Sequence, residues 1–109
     1  MEIALTDKYA AEKIKARTAL MEVIDPELFV NVVDLGLIYD VDFADGGKVI
    51  VTMTLSTPHC PLGDAITMGV RNALEGSFPD REIAVNLVWH PEWSPDNISD
   101  AGKVQLGMG

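Results

Sequence analysis

The chain has 109 residues, 48% of them hydrophobic and 23% charged. These are globular values that set aside a disordered chain and leave room for one buried core, so a single domain spanning 1–109 is expected. Eight basic against 17 acidic residues give a net charge of −9, and a surface that acidic repels phosphate backbones and anionic bilayers, so neither nucleic acid nor membrane is an expected partner.

Further exclusions come from the chain's segments. No run approaches the ~18 apolar residues of a membrane-spanning helix. The opening MEIALTDKYAAEK lacks the basic and apolar regions of a secretory signal. A lone cysteine, Cys60, leaves no intrachain disulfide and points to a reducing, cytoplasmic compartment.

A first helix is expected from Asp7 to Val23. Thr6 is its N-cap, Asp7 favours the first turn, and Ala10, Ile14, Met21 and Ile24, widened by Leu20 and Val23, form its apolar stripe. Asp25-Pro26 stops it, because a residue before proline avoids the helical region. Leu37, Tyr39, Val41 and Phe43 alternate with Ile38, Asp40 and Asp42, the pattern of a half-buried strand. Asp45-Gly46-Gly47-Lys48 is a turn, and the β-branched run Val49–Leu55 returns antiparallel to the first strand. A second helix follows from Pro61 to Glu75, burying Leu62, Ile66, Val70, Ala73 and Leu74 and ended by Gly76. Ile83, Val85, Leu87 and Trp89 alternate as a third strand. Ser94-Pro95 opens a short helical turn, Trp93 folds the tail onto the core, and a last helix runs from Asp100 to Leu106 with Gly107 just past its end. The order α-β-β-α-β-α predicts an α+β, two-layer sandwich on a small three-stranded sheet.

That topology has a consequence for chemistry. A helix of about fifteen residues at ~1.5 Å rise carries the chain back across the sheet, so the third strand runs with the second. The ends of both strands and the start of the first then share one edge. Asp25, Glu27, Asp34, His59, Cys60 and His90 are expected together at that rim.

Cys60 carries the most interest. Pro61 suits the first helical position, which makes Cys60 the N-cap, and the free N–H groups of a first helical turn favour a thiolate. Nearby carboxylates oppose this by raising a thiol pKa, and a small buried hydrophobe is the alternative role. His90 could act as base or ligand, or pack between Trp89 and Trp93. Asp25, Glu27 and Asp34 could equally be turn-formers. The sequence has no CxxC, HExxH, GxGxxG or Walker pattern, and one cysteine cannot hold an iron–sulfur cluster alone, since sets of thiolates hold them.

Several motifs are familiar in order. Val23–Leu28 (VIDPEL), Asn31–Val41 (NVVDLGLIYDV), Met53–Leu62 (MTLSTPHCPL), Val85–Trp93 (VNLVWHPEW) and Ile98–Asp100 resemble the SufT/PaaD-like family of iron–sulfur cluster assembly proteins from about Arg17 to Gly107. The resemblance implies an iron–sulfur cluster assembly-type fold and a role in maturing iron–sulfur proteins. It maps the reactive cysteine onto Cys60, as thiol or cluster ligand shared between subunits. It maps the supporting acidic residues onto Asp25, Glu27 and Asp34, and the loop threonine onto Thr57; His90 is a further candidate ligand. It implies a transient iron–sulfur cluster, with none tightly bound after aerobic preparation, and scaffold and client proteins as partners, with a homodimer as one arrangement. The cysteine-rich tail of the PaaD type is absent, so the SufT type is the expected one. Two other functions compete: a thiol-dependent enzyme with Cys60 as nucleophile, and a cofactor-free interaction module.

Overall fold

The computed structural model describes residues 6–44, 47–56 and 63–107. Its elements are α1 (Ala10–Leu20), β1 (Ile38–Ala44), β2 (Lys48–Met53), α2 (Gly63–Ser77), β3 (Glu82–Leu87), a 3-10 turn (Pro95–Asn97) and α3 (Asp100–Gln105). The sheet has three strands in the order β1-β2-β3. β1 pairs antiparallel with β2, and β2 parallel with β3, as the hairpin and the helical crossover require.

Register explains why the sheet is covered on one side. Val41 faces Val51 and Phe43 faces Val49 across the hairpin, while Val49 and Val51 face Ile83 and Val85 across the parallel pair. All but the half-buried Val85 are buried. The alternate residues Asp40, Asp42 and Asn86 are exposed, so the helices form a single second layer. α2 supplies Ile66, Val70 and Leu74, the expected stripe, and packs on α1 and on β3. At the far end Phe43 stacks on Tyr9, with ring centroids 5.6 Å apart, and meets Phe78 edge-on at 5.2 Å.

The first helix differs from its expected bounds and phase. It starts at Ala10, and Thr6 does not cap it: the N-cap residue is Tyr9, without a side-chain cap. Asp7 is the reason. Its Oδ1 accepts from Tyr9 N at 2.7 Å and its Oδ2 from Lys13 Nζ at 2.8 Å, folding 7–9 into a turn before the helix begins. Hydrogen bonding to Lys13 lowers the Asp7 pKa from its ordinary value. The buried face is Ala16 and Leu20, not Ile14, Met21 and Ile24, which are 38%, 44% and 49% exposed. Past Leu20 the chain tightens, with Glu22 N on Ala19 O and Val23 N on Leu20 O. Ile24 has therefore left the helix and bridges Asn31 instead.

The second helix runs through Gly76 to Ser77, because Phe78, buried against Phe43, continues the ladder with its N–H on Leu74 O at 2.8 Å. The third strand ends at Leu87, leaving Trp89 outside it and 39% exposed. The expected cap at Ser94 is present, its Oγ accepting from Asp96 N at 3.1 Å. Gly107 takes φ +74° after α3. Pro61, Leu62 and the expected N-cap role of Cys60 lie outside the described residues.

Two glycines separate structural necessity from tolerance. Gly36 sits at φ +76°, and a Cβ there would overlap the Asn97 carbonyl. Gly76 is helical with nothing within 4 Å of its Cβ position. Gly36→Ala should cost about 2–5 kcal/mol from left-handed strain and overpacking, whereas Gly76→Ala should stabilise by about 0.5–1 kcal/mol. Urea unfolding of both variants checks the opposite signs.

Candidate functional site

The three strand ends are level. Ile38 pairs with Met53, and Met53 with Leu87, while Thr54 N donates to Leu37 O at 2.9 Å and Val88 N to Met53 O at 2.8 Å. The edge inferred from connectivity is therefore present, with the 23–37 loop leading into it and the 88–99 segment leading away.

Asp25 is buried at 4% exposure. Its Oδ1 accepts from Glu27 N at 2.8 Å and Leu28 N at 3.0 Å. Its own backbone pairs with Val30 O and Phe29 N. The carboxylate thus nucleates a tight reversal, in which Phe29 is held at φ +59° and left 76% exposed. Glu27 contributes its N–H to this turn, and its side chain is exposed.

Asp34 forms the second knot. Its N–H donates to Asn31 Oδ1 at 2.9 Å, and its Oδ2 accepts from Asn31 Nδ2 at 2.7 Å. Its Oδ1 accepts from Ser99 Oγ at 2.8 Å, and its carbonyl from Ser99 N at 2.7 Å. Ser99 Oγ also caps α3 by accepting from Gly102 N at 3.1 Å. Gly102 is buried, since a Cβ would stand 3.0 Å from Asp34 O and 2.8 Å from Ile98 Cγ2. Two more bonds strap the tail over the same loop: Trp93 Nε1 to Leu35 O and Tyr39 OH to Pro91 O, both 2.7 Å. Burial raises the Tyr39 pKa above its ordinary value, so the phenol that makes this bond stays protonated past the usual tyrosine range.

The acidic candidates therefore divide by role. Asp34 spends both carboxylate oxygens, and Asp25 its Oδ1, on neutral donors within the scaffold, while the Glu27 side chain is exposed. His90 is exposed. Among the described residues no group of three or more His, Cys, Asp or Glu side chains is placed to hold a metal ion. Thr57, His59 and Cys60 lie outside the described residues. Sequence reasoning passed over Asn31, Tyr39 and Ser99. An Asn three residues before an Asp, and a Ser immediately before Asp100, are the local signals of the first and last; nothing local marks Phe29 for a left-handed backbone.

Asp25→Ala should lose about 1.5–3 kcal/mol, since it strips an ionised acceptor from two N–H groups of a buried turn. Asp25→Asn, which keeps Oδ1, should lose markedly less. Chemical denaturation of the pair distinguishes a turn-former from a carboxylate that serves only chemistry.

With this geometry in place, comparison with known proteins is informative. The family model described as iron–sulfur cluster assembly protein matches residues 13–87. The chain is 42% identical over 90 residues to the Fe-S protein maturation auxiliary factor YitW of Bacillus subtilis, covering 83% of this chain and 88% of that one. It is 41% identical over 86 residues to the Fe-S protein maturation auxiliary factor SufT of Staphylococcus aureus, covering 79% and 98%. A crystal structure of a DUF59 domain from Bacillus anthracis superposes with a TM-score of 0.84 at 39% identity, covering 91% of this chain and 94% of that one. The strand-end rim and its strapped loop thus belong to a shared fold, and the chain is a member of the iron–sulfur cluster assembly protein family.

Proposed function

We propose that this protein is a maturation factor for iron–sulfur proteins, a carrier or adapter that works between a scaffold holding a cluster and a client that receives it. The observation that carries this reading is the 41% identity that spans 98% of a protein named for SufT-type maturation. The cluster is cargo here. Cys60 is the chain's one thiol; it sits in the chain between Ser56, just past the end of β2, and Gly63, which opens α2. Its thiol would displace one donor ligand of the cluster and be displaced in turn by a client thiol, each exchange breaking one iron–sulfur bond and forming another while the proton of the incoming thiol passes to the departing thiolate. One cysteine supplies one ligand, so the others come from the scaffold, the client or a second copy of this chain.

In this reading Thr57 supports the cysteine loop, and Asp25 and Asp34 act by fixing the rim rather than by touching the cargo. Glu27 and His90, both exposed, are available to a docked partner. A free thiol of this kind suits a reducing cytoplasm. No helix among the described residues is long and apolar enough to cross a membrane.

Cys60→Ala should leave the domain folded, with an unfolding free energy within about 1 kcal/mol of wild type, the weak end of N-cap losses. Activation of an apo iron–sulfur client enzyme should collapse. Anaerobic client activation and urea unfolding of the same variant are the measurements. A folded variant with wild-type activation would leave the adapter role and remove the carrier role.

A further inference from the structure

A cleft of about 400 Å³ lies between the chain leaving α1 and the outer face of α2. Val23, Ile24 and Pro26 form one wall, and Ala65, Ile66 and Gly69 the other. Gly69 lets the walls approach, since a Cβ there would stand 3.2 Å from Val23 Cγ1. The cleft continues along the seam between the two helices into a second recess of about 570 Å³, which shares Glu22 and Ala73 with it.

The rim of this seam is apolar and open. Ile24 is 49% exposed and Met68 is 62% exposed. Met68 lies at helical spacing from Ala65 and Asn72, both of which line the seam, so it belongs to the same face of α2. Methionines at such positions repack around varied apolar side chains. The cleft's charge is of one sign. Glu22 lines it, the exposed Glu27 and Asp64 adjoin its lining residues Pro26 and Ala65, and no basic residue contributes to its walls among the described residues, whereas Lys15 lines the second recess.

That charge decides the occupant. A second copy docking through this face about a two-fold axis would set Glu22, Glu27 and Asp64 against themselves, on chains already at −9. A positively charged partner meets no such cost. We propose that the cleft between the chain leaving α1 and α2 is a docking groove for a segment of a partner protein that carries apolar side chains and net positive charge. Such a partner is one that a maturation factor, as proposed above, would engage, and its binding is measurable with no cluster present.

The probe is a fluorescein-labelled synthetic amphipathic helix of leucine and lysine, compared with its leucine–glutamate counterpart by fluorescence anisotropy. The lysine peptide should bind, more weakly as salt rises, and the glutamate peptide should not. The Ile24→Ser/Met68→Ser variant should weaken binding about tenfold or more, given the apolar area lost. Glu22→Lys should weaken it and flatten the salt dependence, and Val104→Ser, at a 70% exposed apolar residue on α3, should leave it unchanged. The altered positions are on the surface, and urea unfolding confirms that the variants are folded. Absence of lysine-peptide binding, equal binding of both peptides, or unchanged affinity in the groove variants would overturn the proposal. So would sedimentation equilibrium showing a dimer that Ile24→Ser/Met68→Ser splits, which would give the groove to a second copy.

Discussion

Asp34 accepts two side-chain donors and one backbone donor from segments that are far apart in the chain. Its carboxylate joins Asn31 to Ser99, and its carbonyl takes the Ser99 N–H. The tail needs this knot. α3 has six residues, too few to persist as an isolated helix in water, and Gly102 is its buried residue, so it has little apolar surface of its own to hold it down. Its position depends on the Ser99 cap, on Ile98 in the core, and on the two bonds by which Trp93 and Tyr39 fasten the preceding segment. Gly36 and Gly102 are the spaces that allow the two backbones to come so close.

The same knot shapes the rim at which the proposed chemistry takes place. Level strand ends follow from β-sheet register, but the loop that enters β1 has no strand partner along most of its length. Its order comes from side chains instead: Asp25 turns it, Asn31 and Asp34 close it, and the tail lies across it. A charged group that accepts from several neutral donors is a strong local constraint, and it gives Asp25 and Asp34 a structural role in this loop. The acidic balance of the chain then has a separate consequence on the helical layer, where an apolar seam is flanked by carboxylates.

Much of this was legible from residue patterns. The β-branched run that forms β2 and the Ile66–Val70–Leu74 stripe each point to one structure because local propensity and burial agree, while Asp45 and Gly46 of the expected turn lie outside the described residues. Parallel pairing of β2 and β3 followed from the length of one helix, and the level rim followed from that. The first helix misled because its apolar residues are spread around it. Which side is buried was decided by partners distant in sequence, with small Ala16 and Leu20 turned inward, while Asp7 consumed the first expected turn. Gly76 misled because a buried Phe78 draws the helix past it. In the candidate site, the turn-forming alternative weighed for Asp25 and Asp34 is the role their hydrogen bonds show, whereas the bond from Asp34 to Ser99 joins residues that become neighbours only in the folded chain. Thr57, His59 and Cys60 rest on the sequence and the family alone.

Amide hydrogen exchange measures directly whether the tail knot holds the rim loop. In Ser99→Ala, which removes the donor to Asp34 and the cap on Gly102, the N–H groups of Phe29, Leu35, Gly36 and Leu37 should exchange faster, while those of Val49 and Val51 in the central strand should keep their wild-type protection. Protection of the 29–37 amides that is unchanged by the substitution would contradict that role of the knot and leave the loop ordered by its own turns alone.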